Sequence, residues 1–331
     1  MKAANWNLPE DYVLMFWQQN LAQMWVDTEF PVSDDVADWE AAAEAERTSY
    51  KYVLAGLTGL DTLQGGEGMP LLAVHTGDER KRAVLTFMAA MEQIHAKSYS
   101  TIFTTLVPSD ETRRLLSEWV PSQPQLTFKA EMISRHYRAL LRPDPSRLDI
   151  YMACVASVFL ESFLFYSGFY YPLYLTGQGR MTTSGEIIRK ILLDESIHGV
   201  FVGMLAQELY AELTEMEREE AAERTETLLD ELYRNELEYT ALLYDEVGLT
   251  DDVVRYIEYN ANKALNNLGL EPAFAPEPFS AIVLNGLDTG TKHHDFFSQK
   301  GDGYVMALNV EPIRDEDFIF EGRTEHSRLY G

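Results

Sequence analysis

The spacing Glu-x-x-His occurs twice in this sequence, at Glu92 and His95 and again at Glu195 and His198. In an α-helix, residues three apart lie about 60° apart around the axis, so the carboxylate and the imidazole of each pair can face one ion. Among the 7 histidines, only these two have a glutamate three residues before them. A single pair of this kind is compatible with an ordinary helix surface. The two pairs together predict two helices that contribute ligands to a shared metal site.

Two further acidic residues lie in helical segments that are otherwise apolar. Asp61 ends the apolar run 54–61, and Glu161 is the one charged residue in the segment 153–168. A buried carboxylate is costly unless it is paired or bound to a metal. Four helices that supply carboxylates and two Glu-x-x-His pairs are typical of ferritin-like bundles with a di-iron or dimanganese site. We therefore predict an all-α, ferritin-like bundle with a dimetal carboxylate site. Its six predicted ligands are Asp61, Glu92, His95, Glu161, Glu195 and His198.

The predicted ligands limit the choice of metal. Carboxylates and imidazoles without thiolates suit iron or manganese, and six protein ligands suit two ions better than one. A zinc hydrolase is disfavoured because its site would use fewer carboxylates. The residues themselves do not distinguish iron from manganese.

Two residues beside the predicted ligands have several interpretations. Tyr99 lies one helical turn after His95 on the same face, where it could be a packed aromatic, a hydrogen-bond donor or an oxidisable group. Asp194 lies about 100° from the face of Glu195 and could accept a hydrogen bond from a histidine ligand on a neighbouring helix. It could equally be an ordinary polar helix residue.

Composition disfavours several classes of partner and location. With 27 basic and 53 acidic residues, the net charge of −26 argues against binding to nucleic acid or to an anionic membrane surface. The single cysteine, Cys154, excludes an intrachain disulfide and fits a reducing cytoplasm. The N-terminus lacks the apolar run of a signal peptide.

Residues 150–175 are long enough to span a membrane, but Glu161 at their centre predicts a buried core helix instead.

Helical periodicity dominates the chain as far as residue 269. The predicted helices include residues 11–25, 36–64, 79–106, 110–119, 125–141, 150–175, 214–247 and 250–268, with Gly65 and Gly66 ending the second. Beyond Pro272, prolines and glycines interrupt every helical period, which predicts irregular structure over residues 273–331. We expect a bundle domain over residues 1–288 and a mobile tail over 289–331.

Longer segments resemble the small, radical-generating subunit of class Ib ribonucleotide reductase. They are GLTGLDTLQ at 56–64, MEQIHAKSYS at 91–100, ASVFLESFLFYSGF at 156–169, DESIHG at 194–199, YNANKALNNLG at 259–269 and HDFF at 294–297. The resemblance implies the same six metal ligands, all of which are intact, and a stable radical on Tyr99. It also implies a radical relay through His95, Asp194 and Trp25, with Tyr304 in the tail.

The resemblance further implies a set of partners. Such subunits are homodimers that pass the radical to a larger catalytic subunit, which holds the reducing thiols and converts ribonucleotides to deoxyribonucleotides, the precursors of DNA. The single cysteine of this chain agrees with that division. Ser162, Tyr166 and Lys263 resemble the polar channel through which a small, flavodoxin-like protein delivers an oxidant to a dimanganese site.

The C-terminus departs from the family pattern. An acidic run that usually precedes tryptophan is followed here by Phe318, and residues 321–331 are additional. Two other functions remain open from the residues alone. The chain could be a diiron oxidase or desaturase acting on a bound lipid or small molecule, or an iron-storage bundle, although storage chains are usually shorter and lack such a tail.

Overall fold

The computed structural model of the chain describes residues 3–8 and 11–287. Within these residues all regular secondary structure is helical, as the periodicity predicts. The α-helices are α1 Tyr12–Gln23, α2 Val36–Ala41, α3 Glu44–Leu63, α4 Met69–His75, α5 Glu79–Leu106, α6 Ser109–Arg114, α7 Val120–Ser122, α8 Pro124–Ala139, α9 Arg147–Phe159, α10 Tyr166–Gly177, α11 Thr182–Ala211, α12 Glu215–Tyr244, α13 Thr250–Asn267 and α14 Ala281–Leu287.

Four elements of the bundle carry the predicted ligands. They hold Asp61 on α3, Glu92 and His95 on α5, Glu161 in the turn between α9 and α10, and Glu195 and His198 on α11. α3 packs against α5, and α11 packs against α9 and α10. The ligands are therefore supplied by neighbouring helices of one core, as the ferritin-like prediction requires.

The most apolar segment of the chain is a core element. The segment Arg147–Gly177 is long and apolar enough to cross a membrane, but its most apolar window is 89% buried inside the protein. Its side chains are apolar around the whole circumference of the helix, which is the pattern of a helix surrounded by others. The interpretation as a buried core helix is confirmed.

The helix that carries the second Glu-x-x-His pair begins at a buried carboxylate from another part of the chain. Asp35 is 1% exposed and accepts hydrogen bonds from the backbone N–H groups of Thr183, at 3.0 Å, and Ser184, at 2.6 Å. Its Oδ2 also accepts the hydroxyl of Ser184. A carboxylate at a helix N-terminus satisfies unpaired donors and opposes the positive end of the helix dipole. Asp35 thus fixes where α11 starts and which residues it turns toward the core.

The predicted helix 36–64 is wrong in two respects. Helical structure does not end at Gly65 and Gly66 but continues through a π-helical turn, Gln64–Gly68, into α4. A Cβ atom on Gly65 would lie 2.8 Å from Cβ of Glu92, so this glycine allows the helix to pack closely against α5. The predicted helix 36–64 is also interrupted at Ala42, whose ψ of 144° is extended.

The prediction of irregular structure after Pro272 is wrong for one segment. Residues 281–287 form α14, which packs against α10. The approach is so close that a Cβ atom on Gly177 would lie 2.0 Å from the carbonyl oxygen of Ile282. The predicted tail, residues 289–331, lies outside the described residues, and the division of the chain at residue 288 stays a prediction.

We expect Asp35→Ala to lower the free energy of unfolding by about 2 kcal/mol, because two buried N–H groups of α11 lose their acceptor. Urea unfolding followed by circular dichroism measures the change. Asp34→Ala is the matched control, since Asp34 is exposed one residue earlier. Equal effects of the two substitutions would contradict the assigned role of Asp35.

Candidate metal centre

The six predicted ligands converge in the interior. Each is completely buried, with 0% of its surface exposed. Their ligand atoms form two groups, in each of which all atoms lie within 4.8 Å of one another. One group is Asp61, Glu92, His95 and Glu195, and the other is Glu92, Glu161, Glu195 and His198. Glu92 and Glu195 belong to both groups, so two carboxylates lie between two candidate ion positions.

The first position is built around His95. Its Nδ1 atom lies 2.9 Å from Oε1 of Glu195 and 3.4 Å from Oδ1 of Asp61. Oε2 of Glu92 lies 3.6 Å from the same nitrogen. The Glu-x-x-His spacing therefore turns Glu92 and His95 toward a common point, which Asp61 of α3 approaches from another side.

The second position has the same composition. Nδ1 of His198 lies 2.7 Å from Oε1 of Glu92 and 3.5 Å from Oε2 of Glu161. Oε2 of Glu195 also lies 3.5 Å from this nitrogen. Each position thus combines one histidine, one carboxylate of its own and the two shared carboxylates.

These residues fit a pair of cations. Every carboxylate oxygen among them except Oε1 of Glu161 is buried without a hydrogen-bond partner in the described part of the chain, and so is Nδ1 of both histidines. Unpaired buried carboxylates are strongly unfavourable, whereas two divalent cations would balance four such charges. Oxygen and imidazole donors in this proportion suit iron and manganese.

Burial also favours the protonated form of two of the carboxyl groups in the absence of cations. It raises the pKa of the Asp61 and Glu161 carboxyl groups well above their usual range, and the charges of Glu92 and Glu195 raise both further. A carboxyl group with a raised pKa takes up a proton more readily, and it must release that proton to bind a cation. Cation binding at this centre is therefore favoured by rising pH.

A buried hydrogen-bonded path leads away from His95. Oδ2 of Asp194 lies 3.0 Å from Nε2 of His95 and accepts the indole N–H of Trp25 at 2.7 Å. Because Nδ1 of His95 faces the ligand cluster, Nε2 is the nitrogen that carries the proton and donates it to Asp194. The rings of Trp25 and His95 are stacked 6.0 Å apart. Asp194 thus reaches the histidine of a neighbouring helix, in the way that its spacing from Glu195 allows.

Tyr99 is fully buried beside the cluster, and its hydroxyl has no hydrogen-bond partner among the described residues. Burial raises its pKa well above the usual value, and the charges of Asp61, Glu195 and Glu92 raise it further. The phenol is therefore protonated at every physiological pH. A hydroxyl without an acceptor is not a hydrogen-bond donor, which leaves packing and oxidation as its possible roles.

The three predicted channel residues lie on elements that pack against one another, with Ser162 in the π turn that bears Glu161, Tyr166 on α10 and Lys263 on α13. Ser162 is buried and accepts a hydrogen bond from Nδ2 of Asn267 at 3.1 Å. Nζ of Lys263 lies 5.4 Å from the ring centroid of Tyr166. These groups form a polar contact zone between the turn that bears Glu161 and α13. Tyr304, the predicted tail residue, lies outside the described residues.

The sequence analysis did not identify Gln64, a polar residue that contacts one of the predicted ligands. Gln64 is completely buried, and its amide donates a hydrogen bond to Oε1 of Glu161. The hydroxyl of Tyr137 in turn donates to Oε1 of Gln64 at 2.6 Å. The available signal was the position of this polar residue, three residues after Asp61 at the end of the predicted helix 36–64.

A helical bundle in which two overlapping carboxylate–histidine groups share two carboxylates defines a dimetal carboxylate protein of the ferritin-like class. Comparison with known proteins narrows this class. The family described as "Ribonucleotide reductase, small chain" matches residues 3–280. The ribonucleoside-diphosphate reductase subunit beta of Bacillus subtilis (strain 168) is 53% identical over 325 residues, covering 98% of both chains.

More distant relatives agree. The ribonucleoside-diphosphate reductase 2 subunit beta of Escherichia coli (strain K12) is 39% identical over 324 residues, which cover 97% of this chain and 98% of the relative. The crystal structure of Streptococcus sanguinis dimanganese(II)-NrdF superposes with a TM-score of 0.81 at 40% identity, covering 87% of this chain and 100% of that one. This chain belongs to the ribonucleotide reductase small-chain family, as a class Ib beta subunit. The predicted resemblance is confirmed, and it decides against the oxidase, desaturase and storage alternatives.

We expect Glu161→Ala to reduce bound metal from about two ions per chain to one or fewer, because one position loses its own carboxylate. Metal analysis after reconstitution measures the loss, with circular dichroism as a check of folding.

Glu236→Ala is a matched control, since Glu236 is an equally buried carboxylate that pairs with Lys129 instead. It should destabilise the protein without changing the number of ions. Unchanged metal content in Glu161→Ala would show that the ligand set is wrong.

Proposed function

We propose that this subunit generates and stores a tyrosyl radical on Tyr99 at a dinuclear manganese or iron site. It passes the radical to a large catalytic subunit, where ribonucleotides are reduced to deoxyribonucleotides. The observation that carries the proposal is a protonated phenol, fully buried and without a hydrogen-bond partner among the described residues, one helical turn from a ligand of the dimetal centre. The dimanganese(II) form of the Streptococcus sanguinis relative supports manganese, although the ligands suit iron equally.

The chemistry of Tyr99 follows from its surroundings. When bound, the metal pair supplies a one-electron oxidant next to the phenol. Since the raised pKa keeps Tyr99 protonated, loss of its electron is accompanied by loss of its hydroxyl proton, for which the carboxylate of Asp61, the first of the charged groups that act on Tyr99, is the proposed acceptor. Complete burial excludes water and reductants from the ring. A radical formed there is thus protected until the partner subunit requires it.

The contacts of His95, Asp194 and Trp25 support a route for that transfer. The indole N–H donates to Asp194, which can hold or release a proton as the electron on Trp25 moves. The stacked rings of Trp25 and His95 bring the electron path to a metal ligand. We extend the route from Trp25 to Tyr304 and then to the large subunit.

The remaining partners rest on the family and on the chain's composition. Burial raises the pKa of the single thiol, Cys154, to about 12, so this subunit offers no reactive thiolate for nucleotide reduction. That supports a separate subunit that holds the reducing thiols. We also propose a homodimer in the cytoplasm, and activation of the manganese form by a flavodoxin-like protein through Ser162, Tyr166 and Lys263.

We expect Tyr99→Phe to retain full metal loading but to lose the radical and all turnover, because only the oxidisable hydroxyl is removed. Electron paramagnetic resonance, metal analysis and an assay with the large subunit measure the three properties.

Tyr50→Phe is the matched control. Tyr50 is also a buried tyrosine, eleven residues before Asp61 on α3 and therefore about 16 Å along the helix from it. Wild-type activity in Tyr99→Phe would show that Tyr99 has a packing role only.

Deletion of the residues after Val310 should leave the metal centre and the radical intact but abolish turnover, because all proposed ligands precede Gly199. The deleted segment carries Phe318, Ile319 and Phe320 after an acidic run. Each would contribute about 1.5–3 kcal/mol if buried in a partner's groove. Losing two or three would weaken association by several factors of ten, at about 1.4 kcal/mol per factor.

Two peptides test the docking assignment directly. A peptide of residues 311–331 should compete with the intact subunit for the large one, and a peptide of residues 311–320 tests whether the additional residues contribute. If neither peptide inhibits and the truncated subunit still supports turnover, the tail has no docking role.

A further inference from the structure

Gln64 uses all of its polar atoms in the interior. It is completely buried as the first residue of the π turn Gln64–Gly68, three positions after Asp61. Its Nε2 donates to Oε1 of Glu161 and, at 2.9 Å, to Oγ of Ser157. Its Oε1 accepts the hydroxyl of Tyr137 at 2.6 Å. Both N–H donors of the side chain are therefore engaged, and its carbonyl oxygen accepts one hydrogen bond.

The neighbours of Gln64 dictate which way its amide points. With cations bound, Glu161 is an ionised carboxylate that can only accept hydrogen bonds, so the NH₂ group faces Glu161. The Tyr137 hydroxyl donates to the carbonyl oxygen on the other side. Reversing the amide would place an oxygen against the carboxylate and an N–H group against the donating hydroxyl. The orientation of the amide is thus fixed from both ends.

This contact makes the two oxygens of Glu161 inequivalent. Oε1 is occupied by Gln64, whereas Oε2 has no hydrogen-bond partner in the described residues and lies 3.5 Å from Nδ1 of His198. By contrast, both oxygens of Glu92 and of Glu195 lack partners. Glu161 is therefore the one glutamate of the six predicted ligands that offers the centre a single unpaired oxygen.

We infer that Gln64 is a positioning residue that holds Glu161 so that only Oε2 is presented to the metal pair. The inference rests on the proposed dimetal function. It assigns a role to a residue that is not itself a ligand, and it implies that Glu161 binds its ion through one oxygen. Partners of this kind commonly change metal affinity by about 10–100-fold when they are removed.

The backbone around Gln64 is shaped for this contact. A Cβ atom on Gly68 would lie 2.1 Å from Oε1 of Gln64 and 2.8 Å from the ring of Tyr137, so only glycine leaves room for the carbonyl and its donor. Glu161 itself lies in a second π turn, Leu160–Leu164. Both partners are thus aimed by turns that contain one residue more than a regular helical turn.

The test uses Gln64→Met, which keeps the length of the side chain and removes both of its donors to Glu161 and Ser157. Free Mn(II), followed by electron paramagnetic resonance during titration, gives the affinity at each of the two positions. We expect the affinity at the position of Glu161 and His198 to fall by about 10–100-fold. The affinity at the position of Asp61 and His95 should be retained. The spectrum of the loaded manganese pair should change as well, because both oxygens of Glu161 become available.

Two further variants separate positioning from general destabilisation. Tyr137→Phe keeps Gln64 but releases its carbonyl, and we expect a smaller loss at the same position. Asn20→Leu is the matched control, because Asn20 is a buried amide whose hydrogen bond within the described part of the chain goes to the backbone oxygen of Phe16 on its own helix. Its affinities and spectrum should equal those of the wild type.

Three results would overturn the inference. The first is unchanged affinities and an unchanged spectrum in Gln64→Met. The second is an equal loss at both positions that Asn20→Leu reproduces. The third is a Tyr137→Phe variant indistinguishable from the wild type together with a Gln64→Met variant that does not fold. Failure of the proposed function would look different, because the wild-type protein itself would then bind no pair of ions or would form no radical with the pair bound.

Discussion

Mutual repulsion among four carboxylates in a dry interior is the constraint on which the rest of this structure depends. Each carboxylate loses its hydration, and each lies beside others of the same charge. Cations relieve that cost only if the ligands are held at fixed positions, so the surrounding helices must be rigid and closely packed. The long apolar segment through α9 and α10 and the close approach of α3 to α5 at Gly65 provide such packing.

The same dry surroundings give different properties to side chains that have different hydrogen-bond partners. Tyr99 has no acceptor among the described residues and remains a protonated, isolated phenol. His95 has the carboxylate of Asp194 on its outer nitrogen and is thereby connected to the buried indole of Trp25. In the proposed function, an oxidising equivalent is stored on Tyr99 and conducted through His95, although the two lie one helical turn apart. Hydrogen bonding, more than distance, separates storage from transfer.

The sequence was sufficient to predict which residues meet at the candidate metal centre, because their pattern is local. Glu92 with His95 follows from helical spacing, and Glu161 is conspicuous because it is the only charge in an apolar segment. Contacts between distant parts of the chain have no such signal. Asp35 caps α11 through Thr183, which lies 148 residues later, and Gln64 contacts a carboxylate 97 residues away. Gly65 looks like a helix stop in sequence, yet it marks a close approach that only the assembled bundle reveals.

The π turn at Leu160–Leu164 has a consequence for how this chain could change. One additional residue in a turn shifts the rotational phase of everything that follows by about 100° relative to a straight α-helix. Deleting one residue from this turn would regularise the backbone hydrogen bonds and improve the isolated helix. It would also rotate α10 against its neighbours and turn Glu161 or Tyr166 away from its present partners. Insertions and deletions are therefore excluded here more strictly than substitutions, and the irregular turn persists because the centre is built on its phase.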